Sequence, residues 1–372
     1  MTVVSGRFPN AARGARGTDP VGGAAIAWPI VSDLIRRFTT RTSAAVDRPA
    51  RFDVVGIGNA LVDVIAPAHD DFLDAYELVK GSMTLVETDR AIELYDALEA
   101  AVEMSGGSAA NTVVGIASFG GRAAYIGKVN NDDLGGVFGH DMRAVGVSFG
   151  SPPAGTFTPT GRCVIVVTPD AERTMNTYLG VSSELCVDDL DEETIAASRI
   201  LYMEGYLFDR DDAKAAFRRA AEVAHAHGRM VSLTLSDSFC VDRHREDFRA
   251  LVRDSVDLLF GNRDELLALY ELDSFDDAVD ALREECALAA ITVSEQGCVI
   301  VTPEELVRVP AVPVDAVVDT TGAGDLFASG FLYGLASGQD LATCGHYGSI
   351  AAAEVISHVG PRPLVELRNL LD

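Results

Sequence analysis

From position 52 onward, short apolar runs rich in β-branched residues alternate with stretches of helical periodicity, and this alternation constrains the fold more than any other property of the chain. Strands are predicted over 53–57, 123–126, 200–203, 230–235, 258–260 and 289–293. Helices are predicted over 89–102, 108–118, 211–227, 265–269, 275–284, 324–336 and 341–356. A helix between two strands carries the chain back along the sheet, so consecutive strands run parallel and both sheet faces need helical cover. The expectation is an α/β protein with a doubly wound sheet in three αβα layers. Two stretches, about 61–86 and 162–179, hold β-branched runs without a convincing crossover helix. Together they are expected to form a small β-sheet lid inserted in a single domain over 52–372.

The 372 residues are 48% hydrophobic and 23% charged, which suits a globular chain with a substantial core. A formal charge of −26 argues against a nucleic-acid or anionic-membrane partner, because both need a basic surface that displaces counterions. It also means that a polyphosphate has to be held locally, by a divalent ion or by helix N-termini. Residues 1–51 differ from the rest: eight arginines stand against three aspartates, a net charge of +5 that leaves −31 for the remainder. The faintly apolar run 21–31 contains Pro29 and is too short to span a bilayer, so a disordered basic leader is expected there, with the single tryptophan, Trp28, inside it.

Cys163, Cys186, Cys240, Cys286, Cys298 and Cys344 are scattered without a Cys-x-x-Cys pair. Neither a zinc knuckle nor a disulfide framework is indicated, and reduced thiols fit a cytoplasmic protein. His225 and His227, two apart before Gly228, fall on different helix faces and read as partners of a helix C-terminus.

The main chemical signal is Asp319-Thr-Thr-Gly-Ala-Gly-Asp325, which runs directly into an apolar helical stretch. Gly322, Ala323 and Gly324 have almost no side chain, so their N–H groups can approach an anion where a helix dipole favours one. A carboxylate beside such a site repels phosphate unless a proton or metal is being handled, which is what Asp325 would do in a phosphotransferase. The competing reading is an Asp cap over an ordinary glycine turn.

Two further motifs bear on this choice. Residues 54–61, Val-Val-Gly-Ile-Gly-Asn-Ala-Leu, superficially match a dinucleotide fingerprint, but Leu61 stands at the third glycine and the next residues read as a strand, which argues against a nicotinamide cofactor. Read as Gly-Asn-x-x-x-Asp, the same element puts Asn59 and Asp63 at the carboxyl end of the first strand, where open α/β sheets bind ligands. Both side chains can hydrogen-bond vicinal hydroxyls. Residues 105–112, Ser-Gly-Gly-Ser-Ala-Ala-Asn-Thr, open a helix in which Gly106 and Gly107 let the backbone approach a sugar ring or hinge a lid, with Asn111 a turn later.

Over 52–372 these motifs resemble the ribokinase-like (PfkB) family of carbohydrate and nucleoside kinases: 319–325 resembles its C-terminal signature and 105–135 its N-terminal one. The resemblance implies transfer of the ATP γ-phosphoryl group to a primary hydroxyl, with Mg2+, Asp325 as base and the N–H groups of Gly322, Ala323 and Gly324 as an anion hole. It implies that Gly106, Gly107 and Asn111 line a sugar pocket, and that Asn59 and Asp63, spaced as in adenosine kinases, contact ribose hydroxyls. Asn262 and Glu265 resemble an Asn-x-x-Glu motif that organises hydrated magnesium and phosphates, against the alternative of a helix capping box. Thr292, Ser294, Gln296 and Gly297 resemble a nucleotide-binding turn in which Ser294 replaces the first glycine. Arg173 matches an arginine that reaches the transferred phosphate, against a solvated strand arginine, and Glu204 would contact substrate or metal-bound water. Asp319 and Thr321 would offer oxygens to a monovalent cation such as K+.

At a helix N-terminus the pKa of Asp325 is not expected to be raised, and a loose phosphoryl-transfer transition state asks little of the base. The acceptor reading leans toward the 5′-OH of adenosine, giving AMP, with other nucleosides, fructose, ribose and ketodeoxygluconate open. A catalytically silent nucleotide-binding scaffold is the rival of another class. Monomer and homodimer both stay open.

Overall fold

The computed structural model describes residues 50–371 apart from 99 and 171; the expected leader lies outside the described residues except for its last two positions. The strands are β1 Phe52–Ile57, β2 Leu61–Pro67, β3 Met83–Leu85, β4 Val102–Gly106, β5 Ala123–Ile126, β6 Ser148–Phe149, β7 Gly161–Val167, β8 Arg173–Tyr178, β9 Ser198–Glu204, β10 Met230–Thr234, β11 Leu258–Asn262, β12 Leu288–Thr292, β13 Cys298–Val301 and β14 Leu306–Val309. The helices are α1 Asp70–Ala75, α2 Thr88–Ala97, α3 Ser108–Ser118, α4 Asp133–Ala144, α5 Glu192–Ala196, α6 Asp211–Ala226, α7 Ser238–Ser255, α8 Arg263–Tyr270, α9 Phe275–Glu285, α10 Ala323–Ala336 and α11 Leu341–Ile356.

Among the described residues the strands form two sheets. The larger has nine strands in the order β14-β13-β12-β11-β10-β9-β1-β5-β6. Strands β12 through β6 in that order pair in parallel, and β13 and β14 add an antiparallel edge. Both faces are buried, and alternate residues of one strand enter different cores. Val55 and Ile57 of β1, with Leu201 and Met203 of β9, pack on the α6, α7 and α9 side with Phe217, Phe248 and Leu282. Val54, Ile200 and Tyr202 face the opposite core with Val113 of α3 and Phe331 of α10. That double burial is why these strands read as continuous apolar runs.

The smaller sheet has the order β3-β8-β7-β2-β4. Its strands β2, β3, β7 and β8 come from the two stretches singled out above. Its fifth strand corrects the sequence reading: the helix expected over 89–102 ends at Ala97, and Val102 begins β4, which pairs with β2 in antiparallel fashion. The 18-residue α7 was not expected. Its buried residues Cys240 and Val241 are separated from Phe248, Leu251 and Val252 by a charged stretch and by His244, whose φ of −128° kinks the helix and interrupts the apolar periodicity. In α4 the glycines at 135, 136 and 139 dilute the same signal.

The large sheet reverses its strand order at β1, with β9 on one side and β5 on the other. A crevice therefore opens beyond the carboxyl ends of β1, β9, β10, β11 and β12, roofed on one side by the small sheet.

Candidate active site

The crevice encloses ≈ 1690 Å³ and runs from the small sheet to the far side of α10. Asn59, Asp63, Gly107, Asn111, Glu204, Asn262, Glu265, Thr292, Ser294, Gln296, Gly297, Thr321, Gly322, Ala323, Gly324 and Asp325 all border it, so motifs far apart in sequence meet in one place.

Its floor is the start of α10. Gly322 precedes the helix with φ +78°, a conformation that penalises a side chain, and a Cβ there would press on Pro361. The N–H of Ala323 is turned onto the carbonyl of Thr320 at 3.2 Å. The N–H groups of Gly322, Gly324 and Asp325 have no partner among the described residues. Of the expected anion hole, Gly322 and Gly324 keep free N–H groups and Ala323 does not, while the N–H of Asp325 is free as well.

Asp325 is held from across the crevice by α3. Its Oδ1 accepts from Ser108 Oγ at 2.6 Å, and its Oδ2 accepts from Asn111 Nδ2 at 2.9 Å. Burial raises its pKa, against the hydrogen bonds from Ser108 and Asn111 and the charge of Arg362, which lower it. This corrects the expectation of an unraised value: burial of the carboxyl outweighs the two hydrogen bonds and the nearby cation. Asn111, 5% exposed, keeps its Oδ1 without a donor.

The turn before α3 is set by close approach. Gly106 ends β4 and α3 begins at Ser108, so Gly107 alone joins the small sheet to the body helix. It has φ +98°, and a Cβ would collide with the carbonyl oxygen of Asn59, while one on Gly106 would collide with the Asp63 carboxyl. Asp63, 7% exposed on β2, has no hydrogen-bond partner for its carboxylate among the described residues. Burial pushes its pKa up to about 6, against the charges of Arg362 and Arg173.

Asn59 is fixed by three neighbours. Its Nδ2 donates to Glu204 Oε1 at 3.0 Å, its Oδ1 accepts from Ser182 Oγ at 3.0 Å, and Glu204 Oε2 accepts from Ala109 N at 2.8 Å. Glu204 is 1% exposed, and burial pushes its pKa up to about 7. Each of its oxygens accepts a hydrogen bond from the frame of the pocket, and the side chain borders the crevice.

On the other side of Asp325, Asn262 and Glu265 form a reciprocal capping box at the start of α8. Asn262 Oδ1 accepts from Glu265 N at 2.9 Å, Glu265 Oε2 accepts from Asn262 N at 3.0 Å, and Glu265 Oε1 accepts from Asn262 Nδ2 at 2.6 Å. Burial raises Glu265 to about 7. Past them, residues 292–297 form a tight turn in which Ser294 has φ +47° and Gly297 φ +87°. The missing glycine at 294 is a strained serine in a left-handed position.

Arg173 is not a solvated strand arginine. Its side chain is 7% exposed and ion-paired through Nη1 with Asp319 Oδ2, while Nε and Nη2 are buried without partners. Asp319 is saturated: Oδ1 accepts from Thr321 N at 2.9 Å and Thr321 Oγ at 2.6 Å, and Oδ2 accepts from Gly360 N at 2.9 Å as well as from Arg173. A carboxylate so occupied has no lone pair for a monovalent ion, and K+ does not fit Asp319 and Thr321 as they are arranged.

Two participants escaped the sequence reading. Ser108 lay inside a quoted motif without a role. Arg362 reaches the site from the chain after α11, and no local spacing marks it. The six cysteines carry free thiols, and among the described residues no helix is long and apolar enough to cross a membrane.

Comparison with known proteins bears on the fold and the family. Residues 82–367 match the pfkB family of carbohydrate kinases. The adenosine kinase of Sinorhizobium meliloti is 52% identical, with a TM-score of 0.80, over 86% of this chain and 98% of that one. A probable sugar kinase of Rhizobium etli CFN 42 is 48% identical with the same TM-score and coverage. The adenosine kinase of Saccharomyces cerevisiae is 27% identical over 330 residues, covering 83% of this chain and 96% of the relative. The αβα sheet, the crevice at its switch point and these matches together identify the chain as a member of the pfkB carbohydrate kinase family, a phosphotransferase that acts on an alcohol group.

Proposed function

We propose that this enzyme transfers the γ-phosphoryl group of ATP to the 5′-OH of adenosine, giving AMP and ADP. The observation that carries the reading is the buried Asn111 Oδ1, which lacks a donor, together with the Asp63 carboxylate, which lines the crevice beside an apolar wall and has no hydrogen-bond partner among the described residues. Buried acceptors left unmade are costly, so the site is complementary to a ligand that brings hydroxyl donors. A ribose does so. The wall above it is formed by Leu85, Ile165, Met175 and Leu179, which suits a base more than a second ring of hydroxyls. The 52% identity to the Sinorhizobium meliloti adenosine kinase points the same way.

In this reading Asp63 and Asn111 take the sugar hydroxyls, Asn59 and Glu204 frame the pocket, and Gly106 and Gly107 form its edge. Asp325 accepts the proton of the attacking hydroxyl. Its raised pKa, with a direction set by burial, brings it closer to a useful base at neutral pH. The free N–H groups of Gly322, Gly324 and Asp325 meet the transferred phosphate, and the unpaired Nε and Nη2 of Arg173 are the charge that would clamp it. The nucleotide lies along Thr292, Ser294, Gln296 and Gly297.

Among the described residues no group of three or more His, Cys, Asp or Glu side chains can hold a metal alone. Asp237, Asp264 and Asp325 nevertheless press on Glu265, which fits a Mg2+ held mainly by nucleotide phosphates and water near Asn262 and Glu265. When bound, the ion would neutralise charge on the phosphates. An enzyme that draws on ATP and a free nucleoside is proposed to work in the cytoplasm.

A coupled ADP-release assay with adenosine, inosine, guanosine, ribose, fructose and ketodeoxygluconate at equal concentration tests the reading. Adenosine is expected to give the highest kcat/KM; preference for fructose or another sugar would overturn it.

A further inference from the structure

We propose that Arg362 is a positioning residue for phosphoryl transfer: its guanidinium ties the small sheet to the body helix across Gly106 and Gly107, and so places Ser108 and Asn111 where they hold Asp325. The inference rests on Asp325 being the base but not on which alcohol is the acceptor.

The geometry is that of a two-pronged strut. Arg362 Nη2 donates to the carbonyl of Ser105 at 2.6 Å and to Ser105 Oγ at 3.2 Å, on the β4 side of the turn. Its Nη1 donates to the carbonyl of Ala110 at 3.1 Å, in the first turn of α3. Between those carbonyls lie the two glycines that permit the tight approach to Asn59 and Asp63, and Ser108, the first residue of α3. A planar fork with donors at fixed angles can span the turn in a way a single ammonium cannot. The two residues before Arg362 brace the other half of the site: Gly360 N donates to Asp319 Oδ2 at 2.9 Å, and Pro361 packs on Gly322. One short segment therefore touches both the anion-binding turn and the acceptor turn.

The charge of Arg362 adds a second effect. It faces both Asp325 and Asp63, and it is the cation that stabilises the ionised form of Asp325. The other ionisable groups whose surroundings include Asp325 are Asp63 on β2, Tyr202 and Glu204 on β9, Tyr206 just beyond it, and Glu265 on α8; none of these is a cation. Burial in turn lowers the pKa of Arg362 to about 10, which leaves it charged at neutral pH.

Three variants of the full chain separate these effects, each assayed with whichever acceptor the wild type turns over fastest. Arg362→Met is expected to lose about 100-fold or more in kcat with the KM for ATP changed less than about threefold. Removal of the cation is also expected to move the acid limb of its kcat–pH profile to higher pH, because Asp325 then protonates more readily. Arg362→Lys restores charge but not the fork, so its acid limb returns toward that of the wild type while kcat stays at least about tenfold low. Arg362→Ala is expected to regain part of its kcat on addition of guanidinium ion. Circular dichroism and thermal melts establish folding, and should the Met variant fail to fold, the Lys variant carries the test. Wild-type kcat in Arg362→Lys, or a loss of kcat in a folded Met variant with an unmoved acid limb and no guanidinium rescue in the Ala variant, would overturn the proposal. A wild-type enzyme that turns over sugars but no nucleoside would sink the adenosine reading and leave this one standing.

Discussion

Asp63 lines the crevice and Asp319 lies in the turn that leads to its floor, and they are opposites. Asp319 accepts hydrogen bonds at both oxygens from Thr321, Gly360 and Arg173, and its pKa is lowered despite burial. Asp63 is the more deeply buried of the two, has no hydrogen-bond partner for its carboxylate among the described residues, and its pKa is pushed up to about 6. The saturated carboxylate fixes the shape of the anion-binding turn; the bare one is complementary to a donor that the chain does not supply. In the proposed function the first carboxylate is structural and the second recognises the acceptor, a division that the hydrogen bonding supports without reference to motif.

The largest effect that sharpens this contrast belongs to Asp325. Asp325→Asn keeps the shape of the site and removes the base, and it is expected to cost about 10³-fold or more in kcat while the Kd for ATP by calorimetry changes less than about threefold. Near-normal turnover would remove the base assignment. Next comes Gly107→Ala, which forces a side chain into φ +98° against the carbonyl of Asn59. We expect about 2–3 kcal/mol of lost stability by denaturant unfolding, with the KM for the acceptor raised far more than that for ATP.

Asp63→Asn probes the bare carboxylate directly. Because the folded-state pKa lies above the ordinary value, folding is favoured at low pH and loses free energy as pH rises through about 4 to 6, where the unfolded chain ionises and the buried group resists. Asparagine carries no such cost. The ligand-free variant is expected to be about 1–3 kcal/mol more stable than wild type at pH 8, with the gap closing toward pH 4. An equal or lower melting temperature at pH 8 would contradict the reading of Asp63. Smallest is Ser294→Gly, which relieves φ +47° in the nucleotide turn; about 0.5–1 kcal/mol of added stability is expected, with the KM for ATP nearly unchanged.

Two parts of the site differ in how far the sequence reveals them. The glycine turn before α10 is contiguous, so seven adjacent residues and the apolar helix behind them mark it in the sequence. The acceptor end is assembled from β1, β2, β4, α3 and β9; Asn59, Asp63, Gly106, Gly107 and Asn111 left a local trace, and Glu204 entered only through the resemblance. Strands buried on both faces were legible because their central residues form apolar runs, as in 200–203. The strand β4 was not, since Val102 continues the apolar periodicity of α2 and nothing local signals that its partner is β2. Arg362 was invisible for the same reason: its partners, Ser105 and Ala110, are 257 and 252 residues away. The capping box at Asn262 was visible as one of two readings, and the geometry supplies it without excluding a nearby hydrated ion.

The central claim is that the unpartnered carboxylate of Asp63 waits for sugar hydroxyls of the acceptor. Comparing kcat/KM for adenosine and for 2′,3′-dideoxyadenosine, in wild type and in Asp63→Asn, tests it most directly. The wild type is expected to favour adenosine by about 100-fold or more, and the variant by no more than a few fold, because the site no longer holds a buried charge that the hydroxyls must satisfy. An Asp63→Asn enzyme that keeps the wild-type ratio would contradict the account.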